Sequence, residues 1–413
     1  MKTLSINAGR LNERIKAMSQ FGRLASGGVK RLALTAEDKD ARDLFVSWMR
    51  ALKLEIQIDE IGNVFGILEG KHPDRFIGTG SHLDSVPTGG QYDGPLGVLA
   101  ALEVAEVIIE NNIQLNHSLV VANYTNEEGV RFFPDMMGSL AHVNPDLVTT
   151  YLQAKDVDGK TIAAALKDIG YQGKNKCGSI SYNYFIEIHI EQGPVLESQK
   201  ADIGIVKGVQ AIHWIKLTIE GKSGHAGTTP LHLRKDTFYA LSRLSDFARG
   251  LCTKISNQLI TIGSVELYPN AINVIPEKVV ATLDIRNPQD ELLAQALGHL
   301  QEFMATDHAF KNLTVNKEVL VNVPAVRFSD EVVNAIDASC RKLNLSSHSM
   351  HSGAGHDAQI LGTKFPAAMI FIPSKDGISH AVDEYSSEEQ IEKGANTLLQ
   401  TILKLDQLNS PTL

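Results

Sequence analysis

The stretch TGSHLDSVPTGGQYDGPLGVLAALE, Thr79 to Glu103, holds His82, Asp84 and Asp93 in a glycine-rich loop that runs straight into an apolar, helix-like segment. Imidazole nitrogens and carboxylate oxygens are the ordinary ligands of divalent metal ions. Three further segments carry the same donors: Glu127 and Glu128 in TNEEG, His189 in HIEQG, and His380 in GISHAVDE. Each follows a predicted strand, or a loop that ends one, where a rigid scaffold can aim side chains at a common point. Taken alone, a histidine on a strand is more often a hydrogen-bonded structural residue than a ligand, and two adjacent acids are usually a solvated loop. Glu127 and Glu128 depart from that pattern because they directly follow an apolar strand. The four segments together point to metal-dependent chemistry.

The elements that must position these donors can be read from the hydrophobic periodicity. LFVSWMRALKL (44–54) has helical spacing. RFIGTGSH (75–82) reads as a strand that ends in a loop, and Pro95 opens a helix continued from Leu96 to Ile109. HSLVVANYTNEEG (117–129) is a near-continuous apolar run followed by acids, the pattern of a buried strand that opens onto a site. In YFIEIHIEQG (184–193), Ile186, Ile188 and Ile190 face one way and Glu187, His189 and Glu191 the other. Near residue 210 the pattern changes. HWIKLTIEG (213–221) and KVVATLDIRN (278–287) alternate as half-buried strands, with helical stretches between and after them. The pattern of the first 200 residues returns with the helix DEVVNAIDASCRKL (330–343) and the buried strand FPAAMIFIP (365–373). The expected architecture is therefore α/β. Residues 1–210 and 326–413 form one domain, with a central, mostly parallel sheet flanked by helices, and residues 211–325 form a smaller inserted α+β domain.

Bulk properties narrow the function classes. A chain of 413 residues, at about 100–200 residues per domain, has room for two or three domains. The net charge of -9 argues against a general nucleic-acid or membrane-surface binder, because those need basic faces. Three cysteines, Cys177, Cys252 and Cys340, with no CxxC pair, fit a reducing compartment better than a disulfide framework. The opening MKTLSINAGRLNERIKAM reads as a polar helix without the apolar core of a secretory signal, and no apolar run is long enough to span a membrane. The expected location is the cytoplasm.

These segments, with SGGVKRLALTAEDKDAR (26–42), GHAGTTP, NVIP, DIRN and HSGAGHDAQ, give the chain a resemblance over nearly its whole length to a known group. It resembles the dinuclear-metal amidohydrolases related to aminoacylase and carboxypeptidase G. Within them it is similar to the hydantoinase/carbamoylase branch, which includes N-carbamoyl-L-amino-acid amidohydrolase, beta-ureidopropionase and allantoate amidohydrolase. The resemblance implies two divalent ions per chain, of zinc, manganese, cobalt or nickel. It implies that His82 and His189 bind the first ion, Glu128 and His380 the second, and that Asp93 bridges them. Asp84 would orient His82, and Glu127 would be the general base. Many relatives follow the last histidine with a Pro or Ser-Pro step, whereas this chain reads SHAVDEYS.

The resemblance also assigns the inserted domain to substrate recognition, as a lid and dimerisation domain. Arg286 in DIRN would take a substrate carboxylate bidentately, Asn273 would hydrogen-bond the same substrate, and His225 in GHAGTTP would stabilise the oxyanion. Gln192 and His213 are further substrate-binding candidates. Gly353 and Gly355 would offer backbone donors in a substrate loop, with His356 and Asp357 as a supporting pair. The implied partner is a small ureido acid. The implied assembly is a homodimer in which His225 serves the neighbour's site. The implied reaction is hydrolysis of the ureido group of an N-carbamoyl-L-amino acid to the amino acid, ammonia and carbon dioxide. Allantoate amidohydrolase and beta-ureidopropionase activities stand as alternatives; an aminoacylase or peptidase, and an inactive scaffold, stand behind them.

Overall fold

Near-continuous apolar strands need helices over both faces, and the chain supplies them. The computed structural model describes residues 4–408. It divides into two compact units, Met1–Gly208 with Arg327–Leu413, and Val209–Val326.

The sheet of the larger unit runs in the order Glu55–Ile58, Val64–Leu68, His117–Tyr124, His72–His82, Tyr182–Ile190, Ala367–Ile372, Ile203–Val209. Its centre is parallel. His72–His82 pairs in parallel with both His117–Tyr124 and Tyr182–Ile190, and Tyr182–Ile190 pairs in parallel with Ala367–Ile372. Antiparallel pairings flank this centre on both sides. Because the central strands run the same way, His82, His189 and the acids after Tyr124 all emerge at one edge, where α/β sheets hold their ligands.

Pro95–Glu110 is the most enclosed helix beside the site. It starts with Pro95 at its first turn after Gly94 and is buried from Pro95 through Ala105. Ala36–Ala51 is capped by Thr35, whose hydroxyl accepts from the Asp38 amide. Glu388–Leu405 opens with a capping box between Ser387 and Gln390. Of the opening segment read as a polar helix, Ala8–Met18 is helical; residues 1–3 lie outside the described residues. Tyr182–Ile190 keeps its alternation but is buried on both faces apart from Asn183, so Glu187 is a fully buried acid. The three cysteines are free, and among the described residues no helix is long and apolar enough to cross a membrane.

The smaller unit is a four-stranded antiparallel sheet in the order Thr314–Val323, Ala211–Glu220, Lys278–Asn287, Leu259–Tyr268. Ile215, Leu217, Ile219, Val279, Ala281, Leu283 and Ile285 form its apolar side. They share a core with Leu241, Leu244 and Leu251 of helix Thr237–Lys254, and with Leu293, Ala296 and Leu300 of helix Asp290–Thr306. Phe247 and Phe303 stack between these helices at 4.2 Å. The alternate residues of Lys278–Asn287, including Asp284 and Arg286, lie on the other, partly exposed side.

Candidate metal centre

Two groups of donor atoms share one aspartate. Those of His82, Asp93 and His189 lie within 4.8 Å of one another, and so do those of Asp93, Glu128 and His380. Asp93 divides its carboxylate between them. Its Oδ1 is 3.2 Å from His189 Nε2 and 3.9 Å from His82 Nε2, while its Oδ2 is 3.1 Å from His380 Nε2. Glu128 Oε2 is 3.7 Å from the same His380 nitrogen. Glu127 Oε2 stands 3.4 Å from His82 Nε2. Asp93, Glu127, Glu128, His189, Gln192 and His380 line one cavity of about 160 Å³.

Local structure fixes the tautomers that ligation needs. His82 Nδ1 donates to the Asp84 main-chain carbonyl at 2.9 Å, and His189 Nδ1 donates to the Ile190 carbonyl at 2.9 Å. In the His82 ring the Nε2 lone pair is left for the cluster, the usual arrangement of a ligating histidine, while His189 Nε2 lies 3.2 Å from Asp93 Oδ1 and 3.3 Å from the Gly94 amide nitrogen. Gly94 makes room beneath His82: its φ is 82°, and a Cβ there would lie 2.4 Å from the imidazole. No side chain larger than hydrogen fits that approach.

The donor set fits divalent cations, on grounds of its chemistry and of its unsatisfied groups. Glu128 Oε1 is buried and has no hydrogen-bond partner among the described residues. Burial, reinforced by the charges of Asp93 and Asp84, pushes the Glu128 carboxyl up to about 9. Burial likewise holds Glu127 well above the usual carboxylate range, with Asp357 and Glu128 adding to it. For Asp93 burial works upward, but hydrogen bonds from His189 and His380 outweigh it and hold the group well below its ordinary value. A buried cluster of acids with so little compensating charge is costly unless cations join it. A third donor group, Glu187 with His189 and His356, is different. Glu187 already accepts from the Ser81 hydroxyl (2.6 Å) and the Ala358 amide (2.8 Å), and His356 Nε2 is 2.9 Å from Ser352 Oγ.

Asp84 acts differently from the expected orienting acid. Its carboxylate does not orient His82; the main-chain carbonyl does. The carboxylate accepts instead from the amides of Glu127 and Glu128, at 3.3 Å each, so it positions that acidic pair. The reason is topological: His117–Tyr124 lies beside His72–His82 and delivers those two amides to it.

The structure adds residues that the sequence reading missed. Buried Glu384 accepts from the amides of Tyr92 and Asp93 through Oε1, at 3.1 Å each, and from the Ser379 hydroxyl through Oε2 at 3.0 Å. It thereby ties the Asp93 loop to the His380 loop. Fully buried Arg31 donates to the carbonyls of Leu83, Met18 and Phe21, bracing the backbone after His82. Gln192, expected from the sequence as a substrate-binding residue, donates to Asp93 Oδ2 at 3.0 Å and to Ser379 at 3.3 Å. Glu384→Ala is expected to weaken metal binding on the order of 10–100-fold. It should also cost about 1–3 kcal/mol of stability, because two amides lose their acceptor. Glu384→Gln, which keeps an acceptor oxygen, should recover most of both. Metal titration with thermal unfolding checks this; unchanged affinity in the alanine variant would contradict the tie.

Among the remaining candidates, Gly355 lines the same cavity, with Gly353 two residues before it, and His356 stands with its ring 4.6 Å from that of His189. Asp357 is fully buried. In the smaller unit, His225 pairs in register with Val274, next to Asn273, whose carbonyl accepts from the Ala226 amide. His225 Nδ1 accepts from the amides of Gly227 and Thr228 at 3.1 and 3.2 Å. The neutral ring therefore carries its proton on Nε2, as a donor. Arg286 is paired with Asp284 through Nε and Nη2 at 2.7–3.0 Å. His213 faces the other way: it is opposite Ile285 in the sheet and held at Nδ1 by Asn322 at 2.9 Å. The structure thus places His225 beside Asn273 but sets His213 on the sheet face away from Arg286.

Known proteins are similar to this chain in sequence and fold. The model of peptidase family M20/M25/M40 matches residues 78–404. An N-carbamoyl-L-amino acid amidohydrolase of Geobacillus stearothermophilus is 36% identical over 97% of this chain and 99% of its own length. An allantoate amidohydrolase of Bacillus subtilis is 33% identical, over 96% of this chain and 97% of its own. The crystal structure of an amidase of the hydantoinase/carbamoylase family from Burkholderia multivorans superposes with a TM-score of 0.94 at 38% identity, covering 97% of this chain and 98% of that one. On a family match spanning both ends of the metal cluster and relatives aligned over almost the full chain, the protein belongs to peptidase family M20/M25/M40 and, within it, to the hydantoinase/carbamoylase branch.

Proposed function

We propose that this protein hydrolyses the ureido group of N-carbamoyl-L-amino acids to the L-amino acid, ammonia and carbon dioxide. The observation that carries the reading is the split of Asp93 between two donor groups, with Glu127 beside the first of them. In this reading His82, Asp93 and His189 hold one divalent ion, and Asp93, Glu128 and His380 hold a second, drawn from zinc, manganese, cobalt or nickel. When bound, such a pair lowers the pKa of a water and polarises a carbonyl. Glu127 accepts that water's proton at its carboxylate and returns it to the leaving nitrogen. The His225 Nε2–H donates to the oxyanion, Asn273 hydrogen-bonds the substrate, and Arg286 exchanges Asp284 for the substrate carboxylate.

The names of the relatives support this substrate class, and four of them are called N-carbamoyl-L-amino acid amidohydrolases at 31–36% identity. Allantoate is the second reading, favoured by two relatives of that name at 33% and 34% identity. Assembly as a homodimer through the smaller unit, with His225 serving the partner, and residence in the cytoplasm, where three free cysteines are at home, complete the proposal. Ammonia release from N-carbamoyl-L-amino acids, N-carbamoyl-beta-alanine and allantoate tests it.

The carboxylate assignment has its own test. Arg286→Ala is expected to lose on the order of 2–5 kcal/mol of transition-state binding for the acid, through loss of a charge-assisted contact. The matching substrate amide should lose far less. Equal loss of kcat/KM on both would show that Arg286 serves the sheet, not the substrate.

A further inference from the structure

One acid of the cavity takes no part in the proposed metal site. Asp135 lines the same space as Glu127, Glu128 and His380, together with Met136, Ala354 and Gly355. It arrives there by a loop that folds back on the acidic pair. The Met136 amide donates to the Glu127 carbonyl at 2.7 Å, and the Gly138 amide to the Thr125 carbonyl at 2.8 Å. Asn126 spans the loop from inside, donating to the carbonyls of Phe132 and Pro134 at 2.8 and 3.1 Å. Asp135 consequently lies against Gly129, at a φ of 66°, where a Cβ would come within 2.7 Å of the Asp135 Cα. The loop is thus held on backbone and amide contacts, and its position does not depend on Asp135's own side chain.

Asp135 is exposed, and its carboxylate accepts from its own main-chain amide. Among the described residues no cation pairs with it. Arg131, the basic residue of the loop, is committed to Asp156 at 3.1 Å and to the carbonyls of Ala33 and Leu34. Met136, beside it, presents an apolar side chain that lies against Gly355. A substrate in this cavity therefore meets an apolar wall and, next to it, a carboxylate that no basic side chain among the described residues pairs with.

Resting on the ureido-hydrolase reading, we propose that Asp135 is a specificity-determining residue. It favours ureido acids whose substituent at the alpha carbon ends in N–H donors, an amide, ureido or ammonium group, and rejects those that end in a carboxylate. The N–H donors would form charge-assisted hydrogen bonds to Asp135. A second carboxylate in the same place would meet like charge without a cation between, a repulsive element of the kind that sets specificity.

The test uses an isosteric pair, N-carbamoyl-L-glutamine and N-carbamoyl-L-glutamate, with kcat/KM measured by ammonia release from the metal-loaded protein. The wild type is expected to prefer the glutamine derivative by at least about tenfold. Asp135→Asn should bring the ratio close to one, and Asp135→Lys should reverse it. Allantoate, whose substituent is itself a ureido group, should lose at least about tenfold in the lysine variant. Metal content and thermal unfolding confirm that both variants are folded and loaded. A ratio unchanged in both variants would overturn the assignment of Asp135 while leaving ureido hydrolysis in place. Ammonia from no ureido acid at all, with the wild type, would overturn ureido hydrolysis itself and this proposal with it.

Discussion

Glu127→Gln is expected to lower kcat by on the order of 10²–10⁴-fold while metal content stays as in the wild type. The variant keeps the shape and burial of the side chain, and the main-chain amide that Asp84 holds is untouched. What it removes is the ability to take a proton. Glu128, next in the chain, faces His380, not His82, so it does not replace Glu127 at the first donor group. Turnover within a few fold of wild type would remove Glu127 as the base. Loss of metal together with activity would show that Glu127 is a ligand and that the two glutamates exchange roles.

Asp93→Asn is expected to have the broadest effect of any single ligand change. Each Asp93 oxygen serves a different donor group, Oδ1 toward His82 and His189, Oδ2 toward His380 and Glu128. An asparagine offers one acceptor oxygen and turns an NH₂ to the other side. Metal affinity should fall by more than the 10–100-fold typical of losing a supporting contact, and hydrolysis should cease. Glu128→Gln and His82→Ala, by contrast, each disturb one group. Metal analysis after dialysis checks this: retention of both ions by the asparagine variant would show that Asp93 does not bridge.

The candidate ligands were legible because their signals are local. A strand end, a glycine loop and a Pro-opened helix lie in one continuous stretch around His82 and Asp93, and the parallel sheet brings three such stretches to one edge. What was not legible depends on the fold bringing distant segments together. Glu384 follows His380 in a loop with no periodicity, and only the fold sets it on the amides of Tyr92 and Asp93. Glu187 alternates with His189, but nothing in the alternation shows that it is sealed between Ser81 and Ala358. The resemblance implied that Asp84 orients His82; the segment after a neighbouring strand supplies the amides of Glu127 and Glu128 to its carboxylate instead. His213 and Arg286 both stand on alternating strands, and cross-strand register, which the sequence does not display, sets them on opposite faces. Asp135 carries no motif; the closure of its loop on Glu127 brings it to the cavity.

The most direct measurement follows ammonia and free amino acid from an N-carbamoyl-L-amino acid while chelated protein is titrated with manganese. No turnover is expected in chelator. Activity should then rise to a plateau at about two equivalents of metal per chain, with one ammonia formed for each amino acid. Undiminished hydrolysis in chelator, or turnover of simple N-acyl amino acids with none of the ureido acids, would contradict the account.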